Sequence, residues 1–133
     1  MPTANDKFYL EQLLETHSPA FAIEEVSDIV NKLYDLTGNL SLLESERDQN
    51  FCIITESGDQ FIIKIANSAE DPAIIDMQIK TLEHVAKVDP ELPVPEVLLS
   101  QNGLAVEEIQ AADGSKHCVR ILTYLQGAYP KDD

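Results

Sequence analysis

The sequence lacks any run of 18 apolar residues, which is the length that a membrane-spanning helix requires. Its first residues also lack the basic leader and apolar segment of a secretory signal. Nothing in the sequence marks the chain for membrane insertion or secretion, so a cytoplasmic location is expected. The 133 residues are enough for one hydrophobic core, and we expect a single domain.

Basic residues and cysteines are both scarce. Nine lysines and arginines stand against 24 acidic residues, which gives a net charge of −15. Such a surface repels nucleic acids and acidic membranes, so neither is an expected partner. Cys52 and Cys118 lie alone in strand-like runs, and we expect both thiols to pack as small apolar groups. No cluster of residues has the spacing of metal ligands.

The spacing of apolar residues predicts two principal helices. The second is the better marked, because Asp71 caps it and Pro72 occupies its first turn, and it should reach about Lys87. A weaker pattern at 7–15 predicts a short helix within an extension spanning residues 1–18. The first principal helix is predicted from Ser18 and Pro19 to about Leu36, with a stop at Gly38 and a stripe of Ile23, Val26, Val30 and Leu33.

Strand-like runs surround the second helix. A turn at 57–59 should join two of them into a hairpin, and the polar residues 44–50 should form a loop before that hairpin. This order predicts an α+β domain with a mostly antiparallel sheet of five to six strands. The predicted strands are 40–43, 51–56, 61–66, 96–99, 104–109 and 117–125.

Lys64 interrupts the apolar run at 61–66. Burying a cation without a partner costs several kcal/mol, so we expect the Lys64 ammonium to face a cleft or an anion. The alternative is a lysine on an edge strand whose ammonium extends into water. A hairpin with a lysine on its second strand and a helix after it is typical of the N-terminal half of kinase-type phosphotransferases.

Four short motifs together resemble one protein family. They are ERDQNF at 46–51, IKIAN at 63–67, DMQ at 76–78 and LPVP at 92–95. Over residues 20–133 the chain resembles the N-terminal lobe of the aminoglycoside phosphotransferase and hydroxylysine kinase family, most of all the phosphotransferase domains fused ahead of class III aminotransferases. The resemblance implies a protein-kinase-like N-terminal lobe at 19–133, ending at the hinge between two lobes.

The resemblance implies a binding site for ATP or GTP with Mg²⁺. Lys64 would grip the α- and β-phosphates, and Ile62 on the same strand face would cover the base. The backbone of Thr123 and Leu125 would pair with the base at the hinge. The residues in place of a Gly-rich loop would be Arg47, Asp48, Gln49 and Asn50. An ordinary charged turn is the alternative for that loop.

The resemblance also implies that the chemistry needs a second lobe. In this family the residues that orient the acceptor and hold Mg²⁺ come from the C-terminal lobe, so we expect these 133 residues alone to be inactive. The acceptor would be a hydroxyl of an amine-bearing metabolite. An open cleft would expose Ile62 and Leu122 and favour self-association. A non-catalytic acidic interaction module and a regulatory lobe that binds nucleotide without chemistry are the alternatives.

Gln78 departs from the pattern of the wider family, which carries a glutamate at this position of the helix. We expect the Gln78 side chain to point inward, within the stripe of Ile75 and Ile79, and to accept a hydrogen bond from the Lys64 ammonium. The alternative is that Gln78 bonds only to backbone and another acid pairs with Lys64.

Overall fold

The computed structural model describes residues 19–45 and 47–124. The helix predicted at 7–15 and the hinge residue Leu125 lie outside the described residues. Within those two ranges, no helix is both long and apolar enough to cross a membrane. The elements are α1 (Ile23–Tyr34), β1 (Gly38–Leu43), β2 (Gln49–Thr55), β3 (Gln60–Ile65), α2 (Pro72–Val88), β4 (Val97–Leu98), β5 (Glu107–Gln110) and β6 (Lys116–Thr123).

The six strands form one sheet in which every pairing is antiparallel, as expected. Strands β1, β2, β3 and β6 lie side by side in that order. The other edge of β6 pairs first with β5 and then with β4. Strand β6 therefore has neighbours on both sides, and its residues are held in the middle of the sheet.

The sheet has two covered faces, because successive side chains of a strand point in opposite directions. One face packs against α1 and is apolar. The other face lies under α2, where Ile75 and Ile79 pack with Ala66 and Cys118. The buried cluster of the α1 face comprises Phe21, Val26, Val30, Tyr34, Phe51, Ile53, Ile63, Ile65, Ile109, Val119 and Ile121.

Helix α1 is shorter than the sequence indicated. It begins at Ile23, where the Glu25 carboxylate accepts a hydrogen bond from the Ala22 N–H at 3.1 Å. It ends at Asp35, which adopts the left-handed conformation with φ 55°. The predicted stop at Gly38 is wrong, since Asp35 already turns the chain. Ile23 is 42% exposed and does not belong to the buried stripe.

Gly38 has a different role, as the first residue of β1. A Cβ atom at this position would lie 2.2 Å from the backbone oxygen of Ile54, which no real side chain tolerates. Glycine is therefore required for β1 to approach β2 closely enough to pair. The strand predicted at 40–43 extends to Gly38 for this reason.

The hairpin of β2 and β3 and the start of α2 confirm the predictions made for them. Gly58 adopts φ 91° in the turn, and its N–H donates to the Thr55 oxygen at 2.9 Å. At the start of α2, the Asp71 carboxylate accepts from the Ala73 N–H at 2.9 Å. These are local signals, because each depends on residues close together in the sequence.

Candidate functional site

A row of polar side chains crosses the middle of the α2 face. Asn50 of β2 pairs in register with Lys64 of β3, and Lys64 pairs with Arg120 of β6. Directly paired residues place their side chains on the same side of a sheet, about 5 Å apart at Cβ. Two cations and one amide therefore lie next to one another across adjacent strands.

Lys64 is half-buried, and its ammonium makes neither a hydrogen bond nor an ion pair with any residue in the described ranges. Burial lowers the pKa of Lys64, and the positive charge of Arg120 lowers it further. The carboxylate of Asp48 acts in the opposite direction. Lys64 is therefore partly removed from water and feels the negative charge of the Asp48 carboxylate.

Arg120 is more deeply buried, with 9% of its surface exposed. Its single hydrogen bond within the described part of the chain runs from Nη2 to Oε1 of Gln78, at 3.0 Å. Burial lowers the pKa of Arg120, against the opposing negative charge of Asp48, but a guanidinium stays protonated in proteins. The site thus contains a permanent buried cation whose one described partner is a neutral amide.

The prediction for Gln78 is corrected in two respects. Its side chain is exposed at the margin of α2 and does not point into the apolar stripe of Ile75 and Ile79. Its amide oxygen accepts a hydrogen bond from Arg120 and not from Lys64. The amide of Gln78 therefore holds an arginine of β6.

The residues predicted as a phosphate loop are distributed over three environments. Gln49 and Asn50 belong to β2, so the predicted loop at 44–50 is too long. Gln49 points to the α1 face, where its amide bonds both the N–H and the oxygen of Phe21 at 2.9 Å. Gln49 therefore holds the segment before α1 and lies away from Lys64.

Asp48 and Asn50 lie on the Lys64 side, whereas Arg47 is exposed. Oδ1 of Asp48 accepts from the Asn67 N–H at 3.0 Å, which fixes the carboxylate near both cations. Oδ1 of Asn50 is buried and has no hydrogen-bond partner in the described structure. Unpaired buried oxygens are rare in folded proteins, and the hydroxyl of Tyr34 on the α1 side is a second such atom among the described residues.

The residues predicted to contact the base have mixed outcomes. Ile62 shares the face of Lys64, as expected, but Ile62 and Leu122 are only 4% and 6% exposed. The exposed patch predicted to favour self-association is therefore wrong. The Thr123 N–H donates to the Glu96 oxygen at 2.9 Å, so a base could use this N–H only by breaking that bond.

The chain leaving β3 is fixed by contacts from two separate segments, β6 and the residues just before β2. The Ala66 N–H donates to the Cys118 oxygen, and the Ala66 oxygen accepts from Nδ1 of His117, both at 2.9 Å. Asp48 holds the next residue, Asn67. His117 is 2% exposed and also lies edge-on to the ring of Phe21. Lys64 is therefore carried by a strand whose end is fixed in place.

Arg120 was absent from the sequence predictions, although a signal for it existed. The run at 117–125 contains one arginine among apolar residues, just as the run at 61–66 contains one lysine. Antiparallel pairing of these two runs places the two cations together, but the sequence alone did not give their register.

The two cations suit a polyphosphate. Both lie on one face, both are removed from bulk water, and neither is neutralised by an ion pair within the described ranges. For a divalent metal, the residues at 19–45 and 47–124 contain no group of three histidine, cysteine, aspartate or glutamate side chains that could hold it. The two cations are compatible with linked phosphate groups, and the described residues do not by themselves supply a metal site.

The chain is similar in sequence or structure to several kinases. The chain is 33% identical over 115 residues to hydroxylysine kinase of Danio rerio, a match that covers 82% of this chain and 32% of that protein. The structure of a microcompartment-associated aminopropanol kinase matches with a TM-score of 0.63 and 20% identity, covering 79% of this chain and 32% of that one. No family model matches the chain.

An amicoumacin kinase in complex with AMP-PNP, Ca²⁺ and Ami matches with a TM-score of 0.71 and 16% identity. This match covers 91% of the present chain and 35% of the kinase. The chain thus spans about a third of the length of each relative. Sequence and fold agree, and the chain is a kinase-like domain with the fold of the N-terminal lobe of aminoglycoside phosphotransferase-like kinases.

Proposed function

We propose that this chain is the nucleotide-binding lobe of a small-molecule kinase that uses ATP or GTP with Mg²⁺. The observation that carries the proposal is Lys64, a half-buried cation without an ion-pair partner in the described structure, on the central hairpin of a kinase-like lobe. An ammonium in this state gains a charge-assisted contact when a phosphate enters, and the gain offsets the cost of its burial.

The residues around Lys64 have distinct parts in this proposal. The ammonium binds phosphate oxygens, Asn50 lies beside it on β2, and Asp48 limits repulsion between Lys64 and Arg120. The nucleotide supplies the phosphoryl group, and Mg²⁺ neutralises the charge that develops during transfer. Ile62 lies on the same strand face but is only 4% exposed, so it presents little surface to a base.

The acceptor proposed is a hydroxyl of an amine-bearing compound. Hydroxylysine and aminopropanol, named in two of the matched kinases, each contain an amine and a hydroxyl group. We propose that groups outside the described residues orient this hydroxyl and hold Mg²⁺, because the described part has no metal cluster. The 133 residues alone are therefore expected to transfer no phosphate.

The proposal is tested on the complete protein that contains this chain, by phosphate transfer to hydroxylysine and 1-amino-2-propanol with ATP or GTP. Lys64→Met should lower turnover by roughly a hundredfold or more, the scale at which loss of a transition-state electrostatic contact is felt. Lys116→Met is the matched control, since it removes an exposed cation from the neighbouring strand. Undiminished turnover in Lys64→Met would contradict the assignment.

A further inference from the structure

We propose that Arg120 is a second phosphate-binding residue beside Lys64, and that Gln78 orients its guanidinium without neutralising it. This inference rests on the proposed function, because it assigns a second cation to the same site. It goes beyond the pattern expected for the lobe, in which the helix residue pairs with the lysine of the central hairpin.

The position of Arg120 is difficult to explain as a purely structural feature. Like charges directly opposite each other in a sheet are destabilising, yet Arg120 pairs in register with Lys64. Asp48 and Glu70 are close enough to oppose the fall in the Arg120 pKa, but neither forms an ion pair with it. A bound anion that contacts both cations would remove this unfavourable arrangement.

The chemistry of the guanidinium indicates the kind of anion. Arginine has five N–H donors in a planar fork that matches two oxygens of a phosphate group. One nitrogen, Nη2, donates to Gln78 at 3.0 Å, and the remaining donors have no partner among the described residues. Adjacent cations on neighbouring strands suit linked phosphates, so the ligand class is a di- or triphosphate rather than a single phosphate.

The neutral side chain of Gln78 orients the Arg120 guanidinium without cancelling its charge. A glutamate at this position would form an ion pair with Arg120 and would satisfy its charge within the protein. The neutral amide fixes the orientation of the guanidinium by one hydrogen bond and leaves its full charge available to the ligand. Because Gln78 is exposed at the margin of α2, a change there alters the charge balance without creating a cavity.

The experiment measures affinity of the complete protein for pyrophosphate and for adenosine, by calorimetry. Arg120→Met should weaken pyrophosphate binding roughly ten- to hundredfold, the effect expected for lost hydrogen bonds to a charged group. Adenosine affinity should stay unchanged, because adenosine has no phosphate. Arg120→Lys should recover only part of the loss, since lysine lacks the fork. Lys116→Met is the charge-matched control on the same strand.

Gln78→Glu provides the test that does not depend on removing Arg120. It should raise the melting temperature of the ligand-free protein and weaken pyrophosphate binding several-fold, so the two measurements move in opposite senses. Gln101→Glu makes the same chemical change on an exposed turn and should alter neither.

Each result separates the inference from the proposed function. If Lys64→Met abolishes pyrophosphate binding while Arg120→Met and Gln78→Glu leave it intact, the role of Arg120 is wrong and the kinase proposal stands. If the Arg120 variants weaken adenosine and pyrophosphate equally, Arg120 is only a structural contact to α2. If Lys64→Met leaves pyrophosphate affinity unchanged, both proposals fail. Should Arg120→Met not fold, Gln78→Glu and Arg120→Lys decide the question.

Discussion

The two faces of the sheet differ in polarity, although the same strands supply the side chains of both. On the α1 face, Phe51, Ile63 and Ile121 are at most 1% exposed and contact other apolar groups. On the α2 face, the alternate positions of the same three strands include Asn50, Lys64 and Arg120. The α1 face of these strands is apolar, whereas the α2 face places two cations and an amide beside the apolar contacts to the helix.

The comparison predicts that substitutions at two neighbouring residues of β2 will lower the free energy of unfolding by very different amounts. Phe51→Ala should lower the free energy of unfolding by roughly 3–5 kcal/mol, because it removes a buried ring from the α1 face. Cys52→Ala, one position along and on the α2 face, should cost about 1 kcal/mol or less. Urea denaturation of both variants checks this. Equal losses would show that the two faces contribute alike.

The edge of the apolar face can be tested at Gly38. Gly38→Ala should cost roughly 1–3 kcal/mol, the range for forced overpacking, since its Cβ would meet the Ile54 oxygen at 2.2 Å. The loss should arise from β1 moving away from β2, which thermal unfolding followed by circular dichroism would detect. Asn39→Ala, an exposed neighbour on the same strand, is the control. A Gly38→Ala protein as stable as the parent would contradict the close approach.

The smallest expected effect on stability has the opposite sign. Lys64→Met should raise the free energy of unfolding of the ligand-free protein by about 1 kcal/mol, as is common when a functional charge is replaced. At alkaline pH the stability of the parent should rise until it equals that of Lys64→Met. Its Lys64 has a folded-state pKa below the ordinary value of 10.5, so the unfolded chain binds more protons between those two values and stability rises with pH there.

Denaturation of both proteins from pH 7 to 11 measures this convergence. The parent should gain stability relative to Lys64→Met as its ammonium loses its proton. Lys80→Met is a useful reference, because Lys80 is exposed and paired with Asp76 at 2.9 Å, which raises its pKa. A Lys64→Met variant less stable than the parent at pH 7 would show that Lys64 stabilises the fold.

The sequence predicted best what depends on near neighbours. The turn at Gly58 and the cap at Asp71 need only a few adjacent residues, and both are confirmed. The direction of a side chain on a strand is harder to predict, because one residue of register decides the face. The prediction assigned 44–50 to one loop, but β2 begins at Gln49. Strand alternation therefore directs Gln49 to the α1 face and Asn50 to the α2 face.

The predictions for the site failed where two distant elements meet. The apolar stripe of α2 placed Gln78 inward, but the residue lies at the margin of that stripe, within reach of β6. Its partner Arg120 is 42 residues away in the sequence. A lone cation in an apolar run, such as Lys64, is visible within one segment of the sequence, whereas a pair of cations becomes visible only with the sheet pairing.

The contacts that fix Ala66 and Asn67 have a consequence for how the molecule opens. Since Asp48, His117 and Cys118 all bond this short segment, the end of β3 cannot separate from the sheet unless β6 and the chain before β2 release it as well. The strand that carries Lys64 and the strand that carries Arg120 therefore belong to one cooperative unit of local unfolding. A thermal fluctuation that displaces Lys64 also displaces Arg120, so the two cations are either both in place or both out of place.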